Sequence, residues 1–386
     1  HSFPTRRSSD LYATPLLRNN NGEKFKATKE AVLPTLKRAE KRLQKQPKLA
    51  EKHNELISNL VNTGHVRILP DEEATTSDES WFIPHHTVHH NGKYRLVFNG
   101  SFQYHSQVLN EHLLPGPPLG ASLIGVLLRF RQRAIAVSGD IKAVFHQVRL
   151  LPEDRPLLRF LWRNMKVEAD PQVYEWQVLP FGSTCSPCCA TFALRKHASD
   201  HEKQYPEVAA SVDKSFYVDN CLDSLTSTQE AKHLVHQMRE LLADAGFEIR
   251  QWASNDPTVV EDLPSDARSD GCELWLTYGD TDSLEATLGL HWDCSTDKLQ
   301  YRHRPVDYQS LNMRNMYKLL ASQYDPLGYL TPFTTRARVI VQEMWKTKRN
   351  WDDAIEHGVI RDQWQAWERE LPALADIRRS EEHTSE

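Results

Sequence analysis

Apolar positions along this chain recur at two spacings, and the longer spacing predicts helices. Apolar residues three or four positions apart predict polar helices over Ala27–Asn62, broken near Pro47. The stretch "STQEAKHLVHQMRELLADAGF" predicts an amphipathic helix that Ser227 or Thr228 caps and Gly246 ends. Further helices are predicted over "LIGVLLRFRQ", Leu123–Gln132, and over "SPCCATFALRKHASD", which has a proline in its first turn.

Shorter apolar runs predict strands between these helices. The segment "WFIPHHTVHHNGKYRLVFNGS" has an apolar run on each side of Asn91 and Gly92, which is a strong hairpin signal. The run "AIAVSGDIKAVFHQVRL" predicts a buried strand that ends at Asp140 and continues into a short helical segment. Further strands are predicted in "RFLWRN", "VYEWQVLPFG" and "EIRQWAS", and a hairpin with a two-residue tip in "SFYVDNCLDSL". This order predicts an α+β fold whose sheet is covered by helices on one face.

Two carboxylates occupy the ends of the best-defined strands. Asp140 and Asp219 are about eighty residues apart in sequence, and each follows an apolar run. Carboxylate oxygens at adjacent strand ends suit a pair of Mg²⁺ ions about 4 Å apart, which can stabilise both oxygens of an in-line phosphoryl displacement. Aspartates that only form turns are the commoner case, so this spacing alone leaves both readings open.

Composition changes the picture only locally. The 386 residues include 39% hydrophobic residues and carry a net charge of -5, which does not point to a nucleic-acid partner. The segment Arg18–Lys52 nevertheless holds 11 Lys/Arg against four Glu, whereas Asp256–Glu285 holds nine Asp/Glu against one Arg. The basic segment is either a phosphate-binding face or a solvated helix. Six cysteines without a secreted spacing, and the lack of a targeting signal or membrane-spanning run, predict an intracellular protein.

From Trp81 to Trp292 the chain resembles a reverse transcriptase of the BEL/Pao long-terminal-repeat retrotransposons. The motifs that carry the resemblance occur in the family's order: "GKYRLVFNGS", "SGDIKAVFHQV", "LPFGSTCSP", "FYVDNCLDS", "AGFEIRQWASN" and "TLGLHW". The later "YDPLGYLTP" resembles the segment that follows the palm in these elements, often given a Pao-type peptidase label. The resemblance implies a right-hand polymerase fold with fingers, palm and a partial thumb or connection. It also implies a location in a cytoplasmic particle or the nucleus.

The resemblance also implies the catalytic residues. Asp140 and Asp219 match the family's metal ligands, with the carbonyl of Ile141 as a further ligand for Mg²⁺ or, alternatively, Mn²⁺. Asn220 stands where most reverse transcriptases have a second tip aspartate. Three readings of Asn220 stay open: a tolerated ligand variant, a mark of a decaying copy, or an error in the sequence.

Nucleotide-binding positions follow from the same motifs. Lys93 and Arg95 match the residues that grip the incoming triphosphate. Phe145 matches the aromatic gate against the ribose 2′-hydroxyl, and Phe181 and Gly182 lie in the motif beside template and nucleotide.

Template and primer positions complete the set that the resemblance implies. Ser186 and Pro187 match the template side, Tyr217 precedes the catalytic tip, and Gly289 and Trp292 lie in the expected primer-gripping hairpin.

Two further positions depart from the family pattern. Asn99 stands where an aspartate is common, and Gln251 stands where related elements often have a lysine. Arg250 is a poor substitute for a lysine that acts as a general acid, because a guanidinium does not release its proton at ordinary pH.

Three sets of residues could be taken for functional sites, but ordinary structural roles explain each of them. The histidines of "HHTVHH" alternate between the faces of a strand and are not expected to converge on one metal ion. The cysteines of "CSPCC" have no second pair and are expected to pack at a helix start. The tryptophans at 162, 176, 252 and 292 are expected in the core.

The predicted domains follow these boundaries. The two termini can be written in codons as a short-read sequencing adapter, so we expect them to be translated adapter. The divisions are translated adapter (1–11), a basic helical region with an acidic linker (12–80), fingers and palm (81–255), an acidic loop (256–286), primer grip with thumb or connection (287–378), and translated adapter (379–386).

The predicted function is RNA-directed DNA synthesis on a template–primer from deoxynucleoside triphosphates. The alternatives are a catalytically impaired remnant that only binds nucleic acid, and a two-metal nuclease. An aromatic gate at Phe145 argues against the nuclease, because a nuclease has no need to sort deoxyribose from ribose.

Overall fold

The computed structural model describes residues 6–8, 11–19, 24–75, 77–90, 93–269, 273–275, 290–301, 306–323, 325–376 and 378–379. Its chain divides into two compact units. The first unit contains His1–Gly120, Ile141–Asp213 and Gln237–Glu248, and the second contains Ala121–Asp140, Lys214–His236 and Ile249–Glu386. Within the described residues, no helix combines the length and the apolar character that crossing a membrane requires.

Helices and strands alternate along the chain, as the sequence predicts. The α-helices of the described residues are α1 (Leu33–Gln44), α2 (Pro47–Asn62), α3 (Asp71–Thr75), α4 (Leu109–His112), α5 (Leu123–Phe130), α6 (Ser186–Asp200), α7 (Pro206–Lys214), α8 (Thr228–Asp244), α9 (Met313–Ser322), α10 (Thr331–Lys346) and α11 (Val359–Glu370). The strands are β1 (Arg6–Ser8), β2 (Leu11–Thr14), β3 (Val66–Leu69), β4 (His85–His90), β5 (Lys93–Phe98), β6 (Gln103–Tyr104), β7 (Gln107–Val108), β8 (Ile135–Ile141), β9 (Arg149–Leu150), β10 (Arg159–Trp162), β11 (Gln172–Trp176), β12 (Phe216–Tyr217), β13 (Asn220–Leu225), β14 (Ile249–Ser254), β15 (Glu273–Trp275), β16 (Leu290–Asp293), β17 (Lys298–Tyr301) and β18 (Arg378–Arg379).

The local signals for helix ends are confirmed. Helix α1 stops before Pro47, which then occupies the first turn of α2. Ser227 Oγ accepts a hydrogen bond from the backbone N–H of Glu230 at the start of α8. Gly246, at φ +78°, follows the other end of α8, where glycine adopts the left-handed conformation without a steric penalty.

The first unit is built around buried aromatic side chains and two buried ion pairs. Strands β10, β11 and β3 form an antiparallel sheet, and β4 pairs with β5 in the predicted hairpin register, although its turn lies outside the described residues. Arg163 binds both carboxylate oxygens of Glu40, and Arg159 binds Glu175. The region that contains the predicted acidic linker also holds strand β3 and helix α3. Val66 and Leu69, the end residues of β3, are buried in this sheet.

The second unit carries the sheet on which the two predicted acids lie. Its strand order is β12-β13-β8-β14. Helix α5 covers part of this sheet with Val126, Leu127 and Phe130, which pack with Leu222 and Trp292. A separate core joins α9, α10 and α11 around two buried tryptophans, Trp364 and Trp367.

Three histidines of the first unit are buried in neutral form. Burial lowers the pKa of His53 to about 3, of His85 to about 4 and of His146 to about 3. The rings of His53 and His85 stack with centroids 5.0 Å apart, and His85 Nε2 lies 3.0 Å from the carbonyl oxygen of Leu161. The run "HHTVHH" therefore places His85 in the core, whereas His89 is exposed on the same strand.

These histidines predict that the protein loses stability in acid. Their folded-state pKa values lie below the ordinary 6.5, so the unfolded chain binds more protons and stability falls as the pH drops from about 6.5 towards 4. We expect the free energy of unfolding to fall by about 1–2 kcal/mol for each histidine between pH 7 and pH 5. Urea unfolding at pH 7, 6 and 5 measures it.

A variant with one titrating group removed is the control. His146→Phe should flatten the pH dependence by one histidine's share, because the Nε2 atom of His146 is buried without a hydrogen-bond partner in the described structure. An unfolding free energy that stays constant from pH 7 to pH 5 contradicts the prediction.

Candidate active site

Asp219 lies in the two-residue turn that joins β12 to β13. The register pairs Tyr217 with Asn220, so Val218 and Asp219 form the tip of the hairpin, as predicted. Val218 has φ +57°, a left-handed conformation that a β-branched residue rarely adopts. The turn therefore holds strained backbone directly before the acid, and strain of this kind persists where surrounding structure fixes it.

The pairing of β13 with β8 brings the two acids to one end of the sheet. Its antiparallel register places Asn220 opposite Asp140 and Cys221 opposite Gly139. A Cβ atom on Gly139 would lie 2.9 Å from Cε3 of Trp252, so only glycine lets this tryptophan lie against the strand. Asp219 is therefore the turn residue next to Asn220, and Asn220 pairs with Asp140.

The side chains at this end are buried polar groups. Asp219 is fully buried, Asn220 is 6% exposed and Asp140 is half-buried. Asn220 Nδ2 donates a hydrogen bond of 2.9 Å to Asp219 Oδ1. The carboxamide therefore offers its nitrogen to the neighbouring acid, a role that a second aspartate could not take while ionised.

This donor set fits a hard divalent cation. A buried carboxylate is costly unless an opposite charge or hydrogen bonds compensate it. Asp219 is buried, and a second carboxylate, that of Asp140, lies at the same end of the sheet. Mg²⁺ and Mn²⁺ prefer oxygen ligands, which these two acids supply from a rigid sheet. The side chain of Ile141, the last residue of β8, is fully buried, and its carbonyl stays a predicted ligand.

The predicted nucleotide-binding residues belong to the first unit. Lys93 and Arg95 both belong to β5, and Arg95 is half-buried. Phe145 is 6% exposed and follows Asp140 in a short 3₁₀ helix, Val144–Gln147. Its ring packs on Phe181 with centroids 4.9 Å apart.

The loop before α6 has its shape fixed by one asparagine that the sequence analysis did not single out. Asn110 donates to the carbonyl oxygen of Gly182 at 2.8 Å and accepts from the backbone N–H of Thr184 at 3.1 Å. Gly182 has φ +93°, and a Cβ atom there would lie 2.9 Å from the carbonyl oxygen of Phe98. A lone asparagine seventy-two residues upstream gives no sequence signal for this contact.

Two of the predicted template positions have structural partners in the first unit. Ser186 is fully buried and donates to the carbonyl oxygen of Pro180 at 2.8 Å. Pro187 is half-buried in the first turn of α6. Their predicted contribution to template binding therefore rests on the loop that they support.

The predicted primer-side residues differ in how deeply they are buried. Tyr217 is half-buried and packs against the core beneath α5. Trp292 is fully buried, and its indole N–H donates to Asp297 Oδ1 at 2.9 Å. Asp297 also binds Arg131, which anchors the β16–β17 hairpin to the end of α5. Gly289 lies outside the described residues.

The positions that depart from the family pattern have local structural roles. Asn99 Oδ1 accepts a hydrogen bond from the backbone N–H of Ser101 and closes a turn. Gln251 is exposed on β14 with φ +54°.

A second cluster of ligand-type side chains is accounted for by the fold. His197, His201 and Asp244 present ligand atoms within 4.8 Å of one another. His197 Nε2 lies 2.8 Å from the carbonyl oxygen of Leu241, and its Nδ1 lies 3.2 Å from the hydroxyl of Tyr12. Both ring nitrogens of His197 thus join α6 to its neighbours. The cysteines 185, 188 and 189 are buried at the start of α6, as expected.

Comparison with known families identifies two regions of the chain. A family model described as "Reverse transcriptase (RNA-dependent DNA polymerase)" matches residues 84–252. A model described as "Pao retrotransposon-like RNaseH-like domain" matches residues 312–384, in the region predicted as thumb or connection and extending into the predicted adapter.

Comparison with solved structures confirms the predicted fold. A foamy viral protease-reverse transcriptase in complex with an RNA/DNA hybrid aligns with a TM-score of 0.55 at 14% identity, over 85% of this chain and 37% of that one. A foamy viral protease-reverse transcriptase dRH in complex with double-stranded DNA aligns with a TM-score of 0.54 at 13% identity, over 96% and 53%. The chain thus spans about a third to a half of these proteins, and the likeness establishes the α+β fold of the reverse transcriptase type.

Gly182 provides a test of the loop geometry. Gly182→Ala should lower the free energy of unfolding by about 1–3 kcal/mol, because a side chain at this positive φ is strained and its Cβ meets the Phe98 carbonyl. Gly120→Ala is the matched control, since Gly120 has open space around its Cβ position. Urea unfolding of both variants measures the difference, and equal effects contradict the assigned geometry.

Proposed function

This chain carries the reverse transcriptase region of a Pao/BEL-type retrotransposon Pol protein, and on that premise we propose that it is an RNA-directed DNA polymerase that adds deoxynucleotides to a primer 3′-hydroxyl. The observation that supports this proposal best is the β13–β8 register. That register brings Asp140 opposite Asn220, so that the buried Asp219 lies beside it at one end of a rigid sheet.

Asp140 and Asp219 would hold two Mg²⁺ or Mn²⁺ ions, with the Ile141 carbonyl as a further ligand. When bound, such ions stabilise the charge on the attacking and leaving oxygens of a phosphoryl transfer. Asn220 acts on Asp219 by holding its Oδ1 through the amide N–H. In this proposal Asn220 fixes the orientation of the acid, and an amide is a working substitute for the usual second aspartate.

Residues of the first unit bind and select the nucleotide. Lys93 and Arg95, both on β5, neutralise the triphosphate. Phe145 excludes ribonucleotides by occupying the space that a 2′-hydroxyl requires. Its contact with Phe181 supports this role, because a gate must be held rigidly to discriminate one hydroxyl.

The proposed partner is a template–primer duplex. The foamy viral proteins of the same fold were solved with an RNA/DNA hybrid and with double-stranded DNA. The loop with Gly182, Ser186 and Pro187 lies along the template side. Tyr217, Gly289 and Trp292 support the primer end, with Trp292 acting through the anchoring of the β16–β17 hairpin.

Primer extension tests the proposed activity. The purified chain should extend an oligo(dT) primer on poly(rA) with Mg²⁺ or Mn²⁺, and Asp219→Ala and Asp140→Ala should each lower the rate by about a thousandfold or more, since metal positioning supplies most of the rate. Asp266→Asn, an exposed acid in the same unit, is the control and should leave the rate unchanged.

The same assay distinguishes the alternative function. A folded wild-type chain that binds the template–primer but does not extend it supports the catalytically impaired remnant. Extension that survives both alanine substitutions contradicts the assignment of the two acids.

Asn220→Asp tests the role of the amide. Removing the Nδ2 donor and adding a carboxylate beside Asp219 should lower the free energy of unfolding by about 1–3 kcal/mol in EDTA, because two buried acids then repel each other. Mg²⁺ should restore most of this loss. Urea unfolding with EDTA and with Mg²⁺ measures both effects.

The activity of the same variant completes the test. We expect the wild type to extend primers, with Asn220→Ala weaker than either wild type or Asn220→Asp. If only Asn220→Asp extends primers, the amide disables this copy and its proposed positioning role is wrong.

A further inference from the structure

Two tryptophans of the C-terminal helical cluster are exposed, in contrast to the rest of the described tryptophans. Trp345 is 50% exposed and Trp351 is 42% exposed. The other seven tryptophans whose side chains are described are fully buried. The core of this cluster is filled by Trp364 and Trp367, so its packing does not need the two exposed rings.

The exposed rings form an ordered group with one tyrosine. Ring centroids of Trp345 and Trp351 are 5.6 Å apart at an interplanar angle of 89°, and Tyr317 lies 5.2 Å from Trp351. The indole N–H of Trp345 donates to the hydroxyl of Tyr317. We name Tyr317, Trp345 and Trp351 the aromatic patch. Its rings hold one another in place, which lowers the entropy lost when a planar ligand binds.

Basic side chains are interleaved with the aromatic patch. The sequence between the two tryptophans is Lys-Thr-Lys-Arg-Asn, and all five residues are exposed. The Arg314 guanidinium lies 6.0 Å from the Trp351 ring centroid and pairs with Asp352. From Arg314 to Asp353 the chain has seven Lys/Arg against four Asp/Glu, although the whole chain is acidic.

The end of α10 does not account for this arrangement. Cations near a helix C-terminus stabilise the helix by about 0.3–1 kcal/mol each, and Lys346 at the last position of α10 serves that purpose. Lys348 and Arg349 lie beyond the helix, and in the sequence they come between the two half-exposed tryptophans. Helix stabilisation gives no reason for either ring to face the solvent.

We propose that the aromatic patch binds a single-stranded segment of nucleic acid. Bases stack on the rings of Trp345 and Trp351, and the phosphates lie against Lys346, Lys348 and Arg349. Aromatic rings interleaved with cations are the combination that single strands require, because every base has a π-face and every nucleotide carries a charge. Binding at the patch rests on the proposed function only because that function brings nucleic acid to the protein. It does not require catalytic activity.

A single strand fits the patch better than a duplex or a protein. A duplex hides its base faces in the stack and presents only its charged backbone, which would use the cations but not the rings. Protein interfaces are depleted of lysine, whereas Lys346 and Lys348 follow Trp345 closely in this sequence. The template strand outside its paired region is the segment with this chemistry.

Binding of a fluorescein-labelled oligo(dT) to the full chain tests the proposal. Trp351→Ala and Trp345→Ala should each weaken binding by about tenfold, the effect expected for loss of one stacked base. Trp351→Phe should restore most of the affinity, since a phenyl ring still stacks. Val359→Ala, which shortens another exposed side chain of the same helical cluster, is the control and should leave the affinity unchanged.

Two further probes separate stacking from charge. An abasic strand with the same number of phosphates should bind the wild type more weakly than oligo(dT) binds Trp351→Ala, because it lacks the bases that stack on both rings. A DNA duplex should bind the wild type and Trp351→Ala within a factor of about two, because its bases are already stacked. Thermal unfolding shows that each variant is folded.

The outcomes distinguish this inference from the proposed function. If the tryptophan variants bind oligo(dT) as wild type does, or the abasic strand binds equally well, the patch does not bind bases and the inference is wrong. If those variants lose duplex binding to the same extent, the patch is a duplex surface and the inference is also wrong. Failure of the wild type to bind any nucleic acid overturns both proposals, whereas Asp219→Ala should leave binding at the patch intact.

Discussion

The antiparallel pairing of β13 with β8 is the constraint on which the candidate active site depends. The two strands are separated by about eighty residues of sequence, and their register sets Asn220 opposite Asp140. A slip of one residue would turn every side chain of β13 to the other face of the sheet. Gly139 and the ring of Trp252 help to fix this register, because no other residue leaves room for the ring.

Within that frame, the electrostatics of the tip follow from one amide. Asp219 is fully buried in a turn whose preceding residue has a strained backbone, and it is held by a hydrogen bond from Asn220. An amide at this position supplies a donor and no charge, so the buried end of the sheet carries one negative charge fewer than two tip aspartates would give it. The cost of keeping acids buried in the absence of a cation is lower for that reason.

Burial separates the aromatic side chains of this chain by role. Trp162, Trp176, Trp252 and Trp292 fill cores, as the sequence predicts, and Trp292 in addition anchors a hairpin through Asp297. Trp345 and Trp351 face the solvent beside lysine and arginine. Apolar content cannot separate these groups, because the residue type is the same whether the tryptophan side chain meets a neighbouring element or the solvent.

The sequence by itself determined many of the elements and their order, and it singled out the two acids as candidates, because periodicity, caps and turn residues act over a few neighbouring positions. Helix α8 from Thr228 to Asp244 and the two-residue tip at Asp219 are examples. Tertiary structure alone decided what lies far apart in sequence: the partner of β13, the contact of Asn110 with Gly182, and the direction in which the Asn220 amide points. Local propensity carries no information about these contacts, since they depend on which distant segments exclude water together.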